Sequence, residues 1–232
     1  MSPDFPVIFP LYPNLTQLDF TGPYEVFARL PGARCVLASV EGGTLRADGG
    51  MLFAGLHPLA QLDACALLCV PGGLGSIAAL GDRQYLGELR RLARSARYVT
   101  SVCTGSLLLG AAGLLTGRRA ACHWAWRDAL VAFGAVPDAA RVVRDGNIIT
   151  GGGVTAGIDL ALTVLAEIAG RDYAEAVQLA IEYAPAPPFD AGSPENARPA
   201  VRAAALARSE AVRIERERAV RQAAASLRDW EL

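Results

Sequence analysis

The fold is decided by residues 99–107, which read Val99-Thr100-Ser101-Val102-Cys103-Thr104-Gly105-Ser106-Leu107. The run from Tyr98 to Val102 is typical of a strand covered on both faces, and Thr104 to Leu115 has the Leu-rich pattern of a helix. A strand that runs directly into a helix is the repeating unit of a parallel α/β sheet. Cys103 lies at the junction, where such sheets bind their ligands.

The same alternation extends along the chain. Further strands are predicted at Val7 to Leu11, Cys35 to Val40 and Ala66 to Val70, a β excursion at Glu41 to Gly55, and a β pair at Val142 to Thr150. Helices are predicted near Asp19 to Pro23 and at Arg83 to Ala96, Trp124 to Phe133, Thr155 to Ala169 and Ala174 to Tyr183. We therefore expect an α/β fold with a mainly parallel sheet and helices on both faces.

The carboxyl-terminal part has a different composition. Residues 184–198 are rich in Pro and Ala and predict an extended arm, and Pro199 to Trp230 predicts one long helix. This helix is either exposed to solvent or holds two subunits of a dimer together. The expected organisation is a single α/β domain over residues 1–198 with a helical extension over 199–232.

Composition limits the function. The 232 residues are 52% hydrophobic and carry a formal charge of −1, which argues against a basic nucleic-acid or membrane face. All 22 basic residues are Arg, which excludes catalytic lysine chemistry. The start has no signal-peptide pattern, no apolar run is long enough to span a membrane, and the five cysteines are irregularly spaced. We expect a cytoplasmic protein with reduced thiols.

Cys103 is the candidate nucleophile. A thiol at the amino end of a helix meets free N–H groups and partial positive charge, which lower thiol pKa values from about 8.5 to roughly 3.5–7.5. The other cysteines, Cys35, Cys65, Cys69 and Cys122, are expected in the core.

Three loops are expected near Cys103. Asp19 follows the first strand, and it is either an N-cap or a protonated acid facing the thiol. Gly72 and Gly73 end a buried strand and could aim N–H groups at developing negative charge or form a plain turn. A Rossmann interpretation of Gly73, Gly75 and Ala78 is rejected because no acid follows the next strand. The run Gly151–Gly153 indicates close backbone passage at the site or helix packing.

The two histidines do not suggest a metal site. His57 is expected at the surface, and His123 in a structural role, with a Cys–His dyad as the alternative. No metal motif is present in the sequence, so neither a metal nor a cofactor is expected.

Several of these stretches together resemble the ThiJ/PfpI superfamily, in particular its isonitrile hydratase group. They are Leu18-Asp19-Phe20-Thr21-Gly22-Pro23, Val70-Pro71-Gly72-Gly73, Val102-Cys103-Thr104-Gly105-Ser106, Ala120-Ala121-Cys122-His123-Trp124, Gly151-Gly152-Gly153-Val154-Thr155 and the arm after Pro187. The resemblance implies a flavodoxin-like sheet with a cysteine nucleophile elbow and a homodimer. It further implies nucleophilic Cys103, an essential Asp19, and a pocket shaped by Thr104 and the Gly151–Gly153 backbone. The implied reaction adds water to an isonitrile to give a formamide through a thioimidate.

The sequence departs from some relatives in two features, the residue after Cys103 and the region after Pro199, and both bear on the alternative functions. Relatives with peptidase or deglycase activity carry His directly after the cysteine, where this chain has Thr104. This departure weakens the interpretation as a Cys–His hydrolase. Another cysteine-dependent enzyme of the superfamily, such as a glyoxalase, deglycase or amidase, is the enzymatic alternative. A redox sensor or a ligand-binding regulatory module is the non-enzymatic one. Regulation through DNA is not expected, because the region after Pro199 is short and lacks a basic excess.

Overall fold

A computed structural model describes residues 4–227. The strands are β1 Phe5–Pro10, β2 Ala33–Ser39, β3 Gly43–Arg46, β4 Leu52–Pro58, β5 Leu67–Val70, β6 Tyr98–Val102, β7 Arg119–Ala120, β8 Val136–Pro137, β9 Val142–Asp145 and β10 Ile148–Gly151. The helices are α1 Leu18–Phe27, α2 Ser76–Ala79, α3 Arg83–Ala93, α4 Gly105–Ala111, α5 Ala156–Ala169, α6 Arg171–Ala180, α7 Pro199–Glu210 and α8 Arg213–Ser226. Two 3-10 segments cover Leu59–Gln61 and Arg127–Phe133.

Eight strands form the central sheet in the order β3-β4-β2-β1-β5-β6-β10-β9. The six from β4 to β10 run parallel, and the outer strands β3 and β9 pair antiparallel with their neighbours. The predicted α/β fold with a mainly parallel sheet is confirmed, as are the β excursion and the β pair before α5.

Helices cover both faces of this sheet. α1 packs on α5, and α5 packs on α6, whereas α4 contacts α3, α8 and the 3-10 segment Arg127–Phe133. The central strands β5 and β6 are buried at every residue, and apart from Thr100 and Ser101 on β6 their sequences are apolar. The buried Thr100 hydroxyl on β6 donates to the Leu68 carbonyl oxygen at 2.9 Å, so the sheet satisfies it internally.

The prediction of one continuous helix from Pro199 to Trp230 is wrong. The chain turns at Ala211 and Val212 and forms two helices, α7 and α8, and Trp230 lies outside the described residues. α7 buries none of its residues, whereas α8 buries Val220 and Ala223 against the protein. The direction of α8 is therefore set by its packing against the rest of the protein. The alternation of Ala with charged residues in the sequence does not indicate the turn between the two helices.

Two other helix predictions need correction. α4 ends at Ala111 rather than Leu115, because Gly113 adopts φ +74° and turns the chain. The segment predicted as a helix from Trp124 is a 3-10 helix over Arg127–Phe133. The exposed position predicted for His57 is confirmed, although it lies on β4 rather than in a loop.

Candidate active site

Cys103 occupies a strained turn between β6 and α4. Its φ is +59°, a left-handed value that is uncommon for a residue with a side chain. Its N–H lies 2.8 Å from the Gly152 carbonyl oxygen and 3.2 Å from that of Gly151, which hold the turn from the β10 side. Gly105 lets α4 begin close to β5, because a Cβ there would lie 2.3 Å from the Val70 carbonyl oxygen. The packing on both sides therefore fixes the backbone of Cys103.

Asp19 meets Cys103 from α1. Its side chain is fully buried, the Gly72 N–H donates to Oδ2 at 2.9 Å, and the carboxyl lies near enough to the Cys103 thiol for each to act on the pKa of the other. Among the residues described, Oδ1 has no hydrogen-bond partner. A buried carboxyl with one oxygen fixed and the other unsatisfied is suited to proton transfer.

The N-cap alternative for Asp19 is wrong. α1 begins at Leu18 with Gln17 as its N-cap residue, and Asp19 lies inside the first helical turn. Its carboxyl reaches across to the loop after β5 instead of capping its own helix.

Burial raises the pKa of the Asp19 carboxyl to about 7. The Gly72 N–H and the Cys103 thiol oppose this shift because both donate to the charged form, whereas the negative charge of Asp48 adds slightly to it. The raised pKa agrees with the expectation of a protonated acid, but its main cause is desolvation rather than the neighbouring sulfur.

The expected lowering of the Cys103 pKa is wrong. Burial raises the pKa of this thiol well above its usual value, and the charges of Asp19 and Cys122 raise it further. Backbone N–H groups of Val154 and Thr104 act in the opposite direction but are weaker. The helix start is present as predicted, yet the side chain is only 6% exposed, so desolvation outweighs the helix.

Gly72 and Gly73 serve a purpose that differs from the prediction. The Gly72 N–H is bound to Asp19, and the Gly73 N–H donates to the Thr104 hydroxyl at 2.9 Å, so neither is free for an oxyanion. A Cβ on Gly72 would lie 2.5 Å from the Thr104 nitrogen and 2.8 Å from Asp19 Oδ2. These glycines allow the loop after β5 to lie close to Asp19 and to Thr104. The Thr104 hydroxyl holds this loop by its hydrogen bond with Gly73.

The run Gly151–Gly153 passes beside Cys103. Gly151 and Gly152 supply the carbonyl oxygens that hold the Cys103 backbone, and a Cβ on Gly153 would lie 2.9 Å from Cδ2 of His123. Of the two predicted interpretations, the structure therefore favours close backbone passage at the site.

Sequence reasoning missed two contributors. Val154 has a φ of +30° and turns its N–H towards the Cys103 sulfur, a backbone role that its apolar side chain does not signal. Tyr12 is buried beside the pair and donates its hydroxyl to the Pro71 carbonyl oxygen at 2.9 Å. The charges of Asp19 and Cys103 help to raise its pKa. Its place after β1, at the carboxyl edge of the sheet, was the available signal.

A cavity of about 330 Å³ opens next to the site. Gly152, Gly153 and Val154 form one wall, His123 and Trp124 another, and residues 192–195 of the arm close it. Cys103 is not in its lining, but Gly152 and Val154, whose backbones contact Cys103, and Cys122 are.

The imidazole of His123 accepts a hydrogen bond from the Ala125 N–H at 3.3 Å through Nδ1. Burial lowers its pKa, so it is neutral near pH 7. Cys35, Cys65, Cys69 and Cys122 are free thiols, with pKa values raised by burial to about 11 for Cys35 and about 12 for the others. Across residues 4–227, no cluster of three or more His, Cys, Asp or Glu side chains is placed to hold a metal ion.

A mainly parallel sheet with a cysteine on a strained strand-to-helix turn, beside a buried acid, defines the class of α/β proteins with a cysteine at a strand-to-helix elbow. The model of the DJ-1/PfpI family matches residues 6–167. The chain belongs to this family.

Individual proteins of known sequence or structure give a more specific comparison than the family does. The isonitrile hydratase of Pseudomonas putida is 52% identical over 196 residues, which cover 83% of this chain and 85% of that protein. The crystal structure of a ThiJ/PfpI family protein from Pseudomonas syringae superposes with a TM-score of 0.89 at 40% identity, covering 95% of this chain and 90% of that one. The HTH-type transcriptional regulator CdhR of Pseudomonas aeruginosa is 33% identical over 184 residues, or 75% of this chain and 53% of the regulator.

Proposed function

We propose that the protein hydrates isonitriles, R–NC, to N-substituted formamides. The observation that carries the proposal is the buried Asp19 carboxyl beside the Cys103 thiol at the carboxyl edge of the sheet, where each side chain acts on the pKa of the other. The identity of 52% to an isonitrile hydratase supports this choice among the reactions a thiol and an acid can perform.

In the first step the Cys103 sulfur bonds to the terminal carbon of the isonitrile. The resting thiol holds its proton, so the Asp19 carboxylate accepts it as the carbon–sulfur bond forms and delivers it to the same carbon. The product is a thioimidate, R–N=CH–S, on Cys103. Backbone N–H groups of Val154 and Thr104 stabilise the charge that develops on sulfur.

In the second step water adds to the thioimidate carbon. Asp19 takes a proton from the water and passes it to the nitrogen, which gives a tetrahedral R–NH–CH(OH)–S species. Collapse breaks the carbon–sulfur bond, and Asp19 returns the hydroxyl proton to sulfur. The formamide R–NH–CHO leaves, and both side chains regain their starting state.

The assay is the conversion of cyclohexyl isocyanide to N-cyclohexylformamide by the purified protein. Cys103→Ala and Asp19→Asn should each abolish turnover, because each removes a partner in both steps. Cys35→Ala is the matched control, since this free thiol on β2 is partly buried and should leave the rate unchanged. Turnover that survives in Cys103→Ala would overturn the mechanism.

The alternatives receive less support. Redox sensing favours exposed thiols of low pKa, whereas the pKa of Cys103 is raised and its side chain is 6% exposed. A Cys–His hydrolase needs an imidazole beside the sulfur, and His123 lies beyond Gly153, bound to Ala125. Turnover of methylglyoxal or small amides without turnover of isonitriles would revive the second alternative.

A further inference from the structure

The cavity beside the active site has an uneven charge pattern. Two guanidinium groups line it, those of Arg127 and Arg141. Arg141 is neutralised, because its Nη2 lies 2.7 Å from Asp159 Oδ2 and it also donates to the Thr155 hydroxyl. Its positive charge is therefore already balanced by the carboxylate of Asp159.

Arg127 differs from Arg141. It is half-buried at the start of the 3-10 helix, and it forms no ion pair or hydrogen bond among residues 4–227. Glu195, an exposed acid of the arm, also lines the cavity. The pKa of Glu195 is lowered mainly by a backbone hydrogen bond and the Ser193 side chain, and that of Asp138 mainly by the Ala140 N–H and Arg119, with a further contribution from the charge of Arg127 in both cases. A partly desolvated guanidinium without a paired anion is unfavourable, and its planar fork matches a carboxylate.

The cavity is placed to receive the remote part of a substrate. Val154 borders it and also directs its N–H to the Cys103 sulfur, and Gly152 borders it and holds the Cys103 backbone. A substrate whose terminal carbon meets the sulfur can therefore extend along this backbone into the cavity.

We propose that Arg127 selects isonitriles that carry a carboxylate on the R group. This inference rests on the proposed isonitrile hydration and names the substrate class for it. The charge of Arg127 acts on Glu195 in the free protein, and the substrate carboxylate takes over that interaction when it binds. Arg127 is thus a specificity-determining residue.

The kinetic test compares acids with their esters. The substrates are isocyanoacetate and its longer ω-isocyano carboxylate homologues, each against its methyl ester, which has a similar shape but no charge. For the chain length that fits, the ratio of kcat/KM for acid over ester should exceed one, and Arg127→Gln should lower that ratio by about tenfold to hundredfold. Arg144→Gln is the control, since this exposed arginine pairs with Glu167 outside the cavity, and its ratio should match that of the wild type.

A binding test separates failure of the inference from failure of the proposed function. Calorimetry on Cys103→Ala measures the affinity for N-formylglycine and its longer homologues, the products of these acids, against their methyl esters. The acids should bind more tightly than the esters, Arg127→Gln should remove that difference, and Glu195→Gln should enlarge it. Turnover of esters without any preference for acids, or equal binding of acid and ester at every length, would overturn the inference. Preferential acid binding without turnover of any isonitrile would instead uphold the carboxylate site and overturn the hydratase proposal.

Discussion

Asp19 and Cys103 form two linked acids in one buried site, and both pKa values are raised because burial disfavours their charged forms. The pair therefore holds two protons at low pH and one proton once Asp19 ionises near pH 7. The form with one proton is the one that can move that proton from sulfur to carbon.

The first prediction concerns pH. Since the carboxylate of Asp19 must accept the thiol proton, kcat/KM for cyclohexyl isocyanide should rise as pH increases through about 7 and should be lost below it. The measurement is a pH–rate profile across about pH 5 to 9 with an enzyme shown to stay folded. A profile that is flat, or that falls through this range, contradicts the assigned role of Asp19.

The second prediction concerns stability. The folded-state pKa of Asp19 is raised from 3.8 to about 7, so the folded protein binds this proton more tightly than the unfolded chain does. Stability is therefore lost as pH rises from about 4 to about 7, because a buried charge must then form. Asp19→Asn removes that cost and should raise the free energy of unfolding by up to about 4 kcal/mol near pH 8, and by less near pH 5.

Urea unfolding at the two pH values measures this difference. Asp138→Asn is the control. The Ala140 N–H and Arg119 lower the pKa of Asp138, so its charged form stabilises the fold, and this substitution should lower the free energy of unfolding at both pH values. A gain for Asp19→Asn that is the same at both pH values would show that folding does not change the proton affinity of Asp19 in this range, which contradicts the raised pKa.

At the scale of single residues, the sequence allowed prediction of the positions of Asp19 and Cys103 and of the raised pKa of Asp19, but not of the pKa of Cys103. The places of Asp19 and Cys103 follow from the rule that parallel strands present their carboxyl ends at one edge. The direction of the Cys103 pKa could not be predicted, because it depends on how deeply the turn is buried. The Gly72 and Gly73 N–H groups look available in sequence and are occupied in the structure by Asp19 and Thr104.

Among the elements, strands were easier to predict than helix ends. β6 matches its predicted range because all five of its residues are buried and β-branched or aromatic residues predominate in its sequence. The division between α7 and α8 carries no Gly or Pro, and it becomes visible only through what α8 contacts. The Arg216 guanidinium lies over the Trp126 ring, 4.7 Å from the ring centroid, and donates to the Ala125 carbonyl oxygen at 3.4 Å.

The third prediction follows from that contact. Arg216→Ala should loosen α8, since a cation–π pair contributes about 0.5–2 kcal/mol and the side chain also covers apolar surface. Hydrogen exchange of the α8 amides should become several-fold faster. Arg221→Ala is the control on the same helix, because this side chain is 70% exposed and its nearest acid oxygen, on Glu217, is 4.0 Å away. Equal exchange rates in the two variants would show that Arg216 does not hold α8.

For the whole molecule, strand–helix alternation was sufficient to predict the class of fold, because parallel strands need crossover helices. The strand order could not be read from the sequence, since it depends on which strands pair in space. Within residues 4–227 no helix is both long and apolar enough to cross a bilayer. The homodimer, the cytoplasmic location and the division at residue 198 stay predictions.

The central claim is that the Cys103 sulfur becomes covalently bonded to the isonitrile carbon. The most direct measurement is mass spectrometry of the Cys103 peptide after rapid quenching of the wild-type enzyme during turnover of isotopically labelled cyclohexyl isocyanide. The account predicts a peptide heavier by the full mass of the isonitrile, which appears during turnover and disappears when the substrate is consumed. Formamide production with no adduct on Cys103, at a rate that Cys103→Ala preserves, would contradict it.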